Sequence, residues 1–160
     1  MSQIKILVIH GPNLQLLGQR QPDIYGKNDL STINALLRAN AEKKGVSLSI
    51  VQSNHEGDIV ELIGKSKKKF DAILINPAAY THTSVAIRDA IEGCGIPAVE
   101  VHLSNIYARE AFRHESLIAP VCAGQVSGFG KSSYLLGLEA AIEIAKSPRK
   151  KTAAERSSKK

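Results

Sequence analysis

The chain has 160 residues, is 43% apolar and 22% charged, and carries a formal net charge of +6. That length suits one domain with a real core, and the apolar fraction is too high for a disordered chain. No apolar run approaches the roughly 20 residues of a membrane-spanning helix, residues 1–8 do not read as a secretory signal, and Cys94 and Cys122 are too few for a disulfide framework or metal cluster. Reduced thiols in a cytoplasmic protein are the expectation.

The elements follow in order. Residues 4–9 form a short β-branched apolar run, followed by a loop rich in Gly, Pro and Asn. Leu30, Ile33, Leu37 and Ala41 recur at helical spacing, with Gly45 where a helix is expected to end. Residues 46–51 alternate like a strand. Ile59, Leu62 and Ile63 mark a second helix, expected to end in the cations Lys65, Lys67, Lys68 and Lys69. Residues 72–75 read as a buried strand, and Ala86, Ile87, Ala90 and Ile91 as a third helix. Residues 97–101 and 120–126 read as two more strands, and Leu135, Leu138, Ile142 and Ala145 trace a last helix. Strands alternating with helices imply βαβ units. The expected fold is α/β: a flavodoxin-like, doubly wound, five-stranded parallel sheet in a three-layer sandwich.

The excess charge is local. From residue 147 onward there are six Lys and Arg against one Glu, a net of +5, which leaves +1 for residues 1–146. A Ser-Pro pair opens this segment, and no aromatic interleaves its basic residues. The expectation is one domain over residues 1–146 and a solvated, disordered basic tail over 147–160, with a nucleic-acid role disfavoured.

In a doubly wound fold, function collects at the C-terminal ends of the strands. There the sequence places three unusual segments: HGPNLQLLGQRQPDIYG from His10, NPAAYTHTS from Asn76 and EVHLSNIYAREAFR from Glu100. Together they bring Asn13, Arg20, Tyr25, Asn76, His82, His102, Ser104, Arg109 and Arg113 to one rim. A P-loop ending at Gly130-Lys131-Ser132 fails because Gln125 stands where its first Gly belongs, and a dinucleotide fingerprint fails at Ser133. The histidines are not at metal-ligand spacings. What is left is acid–base chemistry. Arg20, five residues before Tyr25, can stabilise a phenolate. A phenolate base opposite an imidazolium acid, His102, suits removal of a carbon-bound proton and expulsion of a hydroxyl. Backbone amides near Leu103 and Ser104, with Arg113, can hold a carboxylate. The loop punctuated by Gly11, Gly18 and Gly26 suits a lid.

At these residues the chain resembles the type II 3-dehydroquinate dehydratases, over residues 4 to about 145. The motifs that carry the resemblance are GPNLxLLGxRxPxxYG, NPxAYTHTSVAIRDA and EVHLSNIYAREAFR followed by SxIAP. It implies a cytoplasmic enzyme of aromatic amino-acid biosynthesis that removes water from 3-dehydroquinate without a cofactor or metal. Tyr25 then matches the base and Arg20 the lid arginine that acidifies it. His102 matches the acid, Glu100 its orienting neighbour, and Asn13 the residue holding a water against the developing enolate. Asn76, His82, Leu103, Ser104 and Arg113 match substrate-binding positions. Asp89 matches a residue reaching a neighbouring subunit's site, so a homo-oligomer, a dodecamer of trimers, is implied. Arg109 is assigned to support of the site. Two residues depart from the family pattern: Gln15 stands in place of Asn and Ala78 in place of Gly. A methyl at position 78 is expected to crowd the loop beside Asn76, in a residue that tolerates ordinary backbone angles.

Overall fold

The computed structural model describes residues 3–19, 23 and 28–147. Five strands, β1 (Lys5–His10), β2 (Ser47–Gln52), β3 (Ala72–Asn76), β4 (Ala98–His102) and β5 (Gly124–Ser127), form one sheet in the order β2-β1-β3-β4-β5. Every pairing is parallel. Among the described residues, α1 (Leu30–Lys43), α2 (Glu56–Gly64) and α3 (Val85–Cys94) each connect two strands, and α4 (Lys131–Lys146) follows β5. This is the flavodoxin-like sandwich expected from the alternation of signals.

The three central strands are covered on both faces, so β1 and β3 read as near-continuous apolar runs and β4 as one interrupted by Glu100. Side chains alternate between faces along each strand. Ile6, Val8, Leu74, Val99 and Val101 pack with Ile33, Leu37 and Ala41 of α1 and with Leu138, Ala141 and Ile142 of α4. Leu7, Ile9, Ile73 and Ile75 pack on the opposite face against Ile59 and Ile63 of α2 and Ile87 and Ile91 of α3. Each fully buried Leu or Ile contributes roughly 1.5–3 kcal/mol relative to exposure.

Local chemistry fixes the helix ends. Asp29 caps α1 by accepting the Thr32 backbone N–H at 2.8 Å, and Ser84 caps α3 by accepting that of Ile87 at 2.9 Å. Such caps are worth about 1 kcal/mol. Gly45, at φ +67°, supplies the left-handed residue that closes α1.

Two expectations are corrected. The lysine run follows α2 rather than forming its last turn, with Lys65 as the residue that caps its C-terminus. That helix stops at Gly64, Lys65 pairs with Glu61 at 2.6 Å, and Lys67, Lys68 and Lys69 lie in the turn beyond it. The strand expected over residues 120–126 begins only at Gly124, because Pro120 has no N–H for a ladder and sits in a 3-10 turn, Ala119–Val121.

One close approach positions the site. β1 and β3 pair with His10 opposite Asn76, and the Gly11 N–H then donates to the Asn76 carbonyl at 2.7 Å. A Cβ on Gly11 would lie 2.5 Å from the Pro77 carbonyl oxygen, so only glycine lets the two strand ends meet.

Candidate active site

A pocket of about 200 Å³ opens at the C-terminal ends of β1, β3 and β4. Its wall includes Asn13, Asn76, His82, His102, Leu103, Ser104, Arg109 and Arg113, all named from the sequence. Arg20 and Tyr25 lie outside the described residues, as does the basic tail from residue 148. Asp89 is exposed on α3 and is not part of the pocket wall.

Behind His102, outside the pocket wall, lies a buried carboxylate. Glu100, on β4, has no solvent exposure. Its Oε1 accepts from His102 Nε2 at 2.6 Å and from the Thr81 hydroxyl, and both its oxygens lie 3.0 Å from Ser116 Oγ. Burial alone would raise its pKa. The His102 hydrogen bond and charge, followed by the Thr81 and Ser116 hydrogen bonds, outweigh burial and hold the carboxyl below its ordinary range. Because Glu100 engages Nε2, Nδ1 is the ring nitrogen of His102 left to meet a ligand. Thr81 is itself fully buried in the 3-10 turn Ala78–His82. Ser116 also accepts the backbone N–H groups of Ile118 and Ala119, at 3.2 and 2.9 Å, so the carboxylate is tied to the loop that follows.

Asn76, 3% exposed, ends β3. Its Oδ1 accepts the Ala78 N–H at 3.0 Å, and its Nδ2 donates to the Tyr134 hydroxyl at 3.0 Å. Ala78 departs from expectation: its φ is +52°, in the left-handed region that disfavours a side chain. The turn bends sharply there so that its N–H reaches Asn76. Asn13 has φ +66°, which asparagine tolerates, and its N–H donates to Asn54 Oδ1 at 2.9 Å. The other departure from the family pattern, Gln15, accepts from Gln52 at 3.1 Å and stays out of the pocket wall.

The cationic side is Arg113, whose Nε donates to Glu110 Oε2 at 2.9 Å, with Arg109 Nε 3.7 Å from the same oxygen. A hydrogen bond from its own backbone, then those two guanidinium groups, keep the exposed Glu110 carboxyl below its usual range. The guanidinium of Arg113 also lies over the Phe112 ring, 4.9 Å from its centroid. His82 donates Nδ1–H to the Glu115 carbonyl at 2.7 Å, which directs Nε2 elsewhere. With Leu103 and Ser104 between His102 and these arginines, the pocket offers a proton donor at one end and anion-binding groups at the other.

Residues 4–142 match the family model described as Dehydroquinase class II. The chain belongs to the class II dehydroquinases. A 3-dehydroquinate dehydratase of Trichodesmium erythraeum is 62% identical over 146 residues, spanning 91% of this chain and 97% of that one. One from Acaryochloris marina is 59% identical over 142 residues, spanning 89% and 95%. The crystal structure of a type II dehydroquinase from Butyrivibrio crossotus superposes with a TM-score of 0.86 at 42% identity, covering 92% of this chain and all of that one.

Within this class II dehydroquinase, sequence reasoning missed Thr81, Ser116 and Glu110 as partners of site residues. Ser116 opens the SxIAP motif and Thr81 stands inside YTHTS, so the signal was present as motif membership without an assigned contact. It also took His10 as the start of a loop, whereas His10 is the last residue of β1.

Proposed function

We propose that this class II dehydroquinase is a 3-dehydroquinate dehydratase of the shikimate pathway, eliminating water from 3-dehydroquinate in the anti sense to give 3-dehydroshikimate. The observation that carries the mechanism is the pair formed by His102, at the pocket wall, and the buried Glu100 carboxylate behind it, 2.6 Å apart. Tyr25, as phenolate, takes the axial proton beside the ketone, and the electron pair moves onto the carbonyl oxygen as an enolate. Arg20 stabilises both the phenolate and the developing charge. The enolate then expels the tertiary hydroxyl, which leaves as water with a proton from His102 Nδ1, and Glu100 keeps the ring oriented for that transfer. One proton leaves carbon and one joins the hydroxyl, so the steps balance without a redox partner. Asn13 holds a water against the enolate oxygen. The Leu103 and Ser104 amides and Arg113 bind the carboxylate, while Asn76 and His82 bind the ring hydroxyls.

The same reading makes residues 1–146 the catalytic domain and places the enzyme in the cytoplasm as a dodecamer of trimers. The exposed position of Asp89 on α3 suits a residue that reaches a neighbouring subunit's site.

Enone absorbance on adding 3-dehydroquinate tests the activity. Tyr25→Phe and Arg20→Ala are each expected to lower turnover by about 10²–10⁴-fold or more, with circular dichroism unchanged. A wild-type-like rate in Tyr25→Phe overturns the assigned base.

A further inference from the structure

Behind the pocket wall lies a second buried polar chain that the proposed chemistry does not use. His10, at the end of β1, and Tyr134, on α4, have no solvent exposure. His10 Nε2 lies 2.8 Å from Asn34 Oδ1, and its Nδ1 lies 2.8 Å from the Tyr134 hydroxyl. That hydroxyl in turn receives the Asn76 amide at 3.0 Å.

The donor directions follow from the groups themselves. A carbonyl oxygen such as Asn34 Oδ1 can only accept, so His10 Nε2 carries the hydrogen. A neutral ring then offers Nδ1 as acceptor, and the Tyr134 hydroxyl donates to it. With its hydrogen committed, the Tyr134 oxygen accepts from Asn76 Nδ2. Burial supports the neutral ring, since desolvation lowers the His10 pKa from 6.5 to about 4. Each donor in the chain faces one acceptor, and reversing any single link would set two donors or two acceptors against each other.

We propose that His10 and Tyr134 are positioning residues for substrate binding: they fix which way the Asn76 amide faces, and so which hydrogen-bonding groups it presents to the pocket. Asn76 has two amide hydrogens and two carbonyl lone pairs. Tyr134 takes one hydrogen and the Ala78 N–H takes one lone pair, so one of each remains for substrate. A flipped amide would set its oxygen against the Tyr134 oxygen and its NH₂ against the Ala78 N–H. The inference rests on the dehydratase reading, in which Asn76 binds a ring hydroxyl.

The test separates the two nitrogens of His10. In His10→Asn the side-chain oxygen falls near the Nδ1 position and still accepts from Tyr134. In His10→Gln the amide reaches the Nε2 position and serves Asn34 instead. His10→Gln and Tyr134→Phe are expected to lower kcat/KM by about 10–100-fold, mainly through KM, while His10→Asn stays within a few-fold of wild type. Nitrogen-15 NMR of the wild-type ring is expected to show a neutral imidazole with the hydrogen on Nε2. Equal kinetics in His10→Asn and His10→Gln, a wild-type KM in Tyr134→Phe, or a hydrogen on Nδ1 overturns the relay alone. Should Tyr134→Phe fail to fold, the two His10 variants and the NMR decide. Absence of turnover in the wild-type protein overturns the dehydratase reading together with the relay.

Discussion

Two strand ends of this molecule carry a buried histidine, and they are built for opposite purposes. His10 closes β1 and His102 closes β4, with solvent exposures of 0% and 6%. At β1 the imidazole meets an amide oxygen and a phenol, both neutral. At β4 it meets an ionised carboxylate, itself held by Thr81 and Ser116. Burial is shared, so burial does not decide the role. The charge of the partner does: neutral partners leave a ring that sorts hydrogen-bond directions, and a carboxylate gives a ring whose proton can be passed on.

The strongest way to break this contrast is to make the same substitution at both ends. His102→Asn removes the proposed acid and is expected to lower kcat by about 10²–10⁴-fold, whereas His10→Asn is expected to cost less than about tenfold. Steady-state kinetics on the two purified variants, with circular dichroism to confirm folding, measures both. Comparable losses would show that the β4 end has no chemical privilege.

The contrast also predicts a pH signature of stability. In the unfolded chain His10 titrates near 6.5, while in the fold it stays neutral down to about 4. Between those values the unfolded state binds the extra proton, so stability rises with pH and is lost as pH falls from 6.5 toward 4. A shift of that size corresponds to about 3 kcal/mol, most of it gone by pH 4.5. Glu100 adds its own loss at lower pH, because its depressed pKa stabilises the fold above the ordinary carboxylate value and that contribution disappears as pH falls through the folded one. Urea midpoints from pH 7 to 4.5 are expected to fall in the wild type and to fall less steeply in His10→Asn. Equal slopes would mean that His10 is not held neutral.

The two ends were unequally legible in the sequence. Glu100 and His102 stand two residues apart on one strand, in a motif that carries the family resemblance, so their pairing was available as what that resemblance implies. The partners of His10 lie 24 and 124 residues away, and no local pattern links them until α1 and α4 pack on one face of the sheet. The same limit explains the misplaced strand. Residues 120–126 look apolar enough, but Pro120 cannot donate to a ladder, and the chain turns before it pairs. The layer order was readable because apolar periodicity is set by burial, which extends over whole elements. The backbone angle at residue 78 was not, since it depends on where the Asn76 side chain accepts its hydrogen bond.

That angle gives the smallest expected effect and the finest test of how the pocket end of the relay is held. Ala78 has φ +52°, where a Cβ costs roughly 1–2 kcal/mol. Ala78→Gly would remove that cost, while the freer unfolded chain returns about 0.5–1 kcal/mol and the half-buried methyl loses some packing on the core. The balance predicts a gain of about 0.5 kcal/mol in unfolding free energy, read as a higher urea midpoint at unchanged slope. A lower midpoint would mean that methyl packing outweighs the backbone cost. In that case the Ala78 methyl, as well as its N–H, would help hold the turn that presents Asn76.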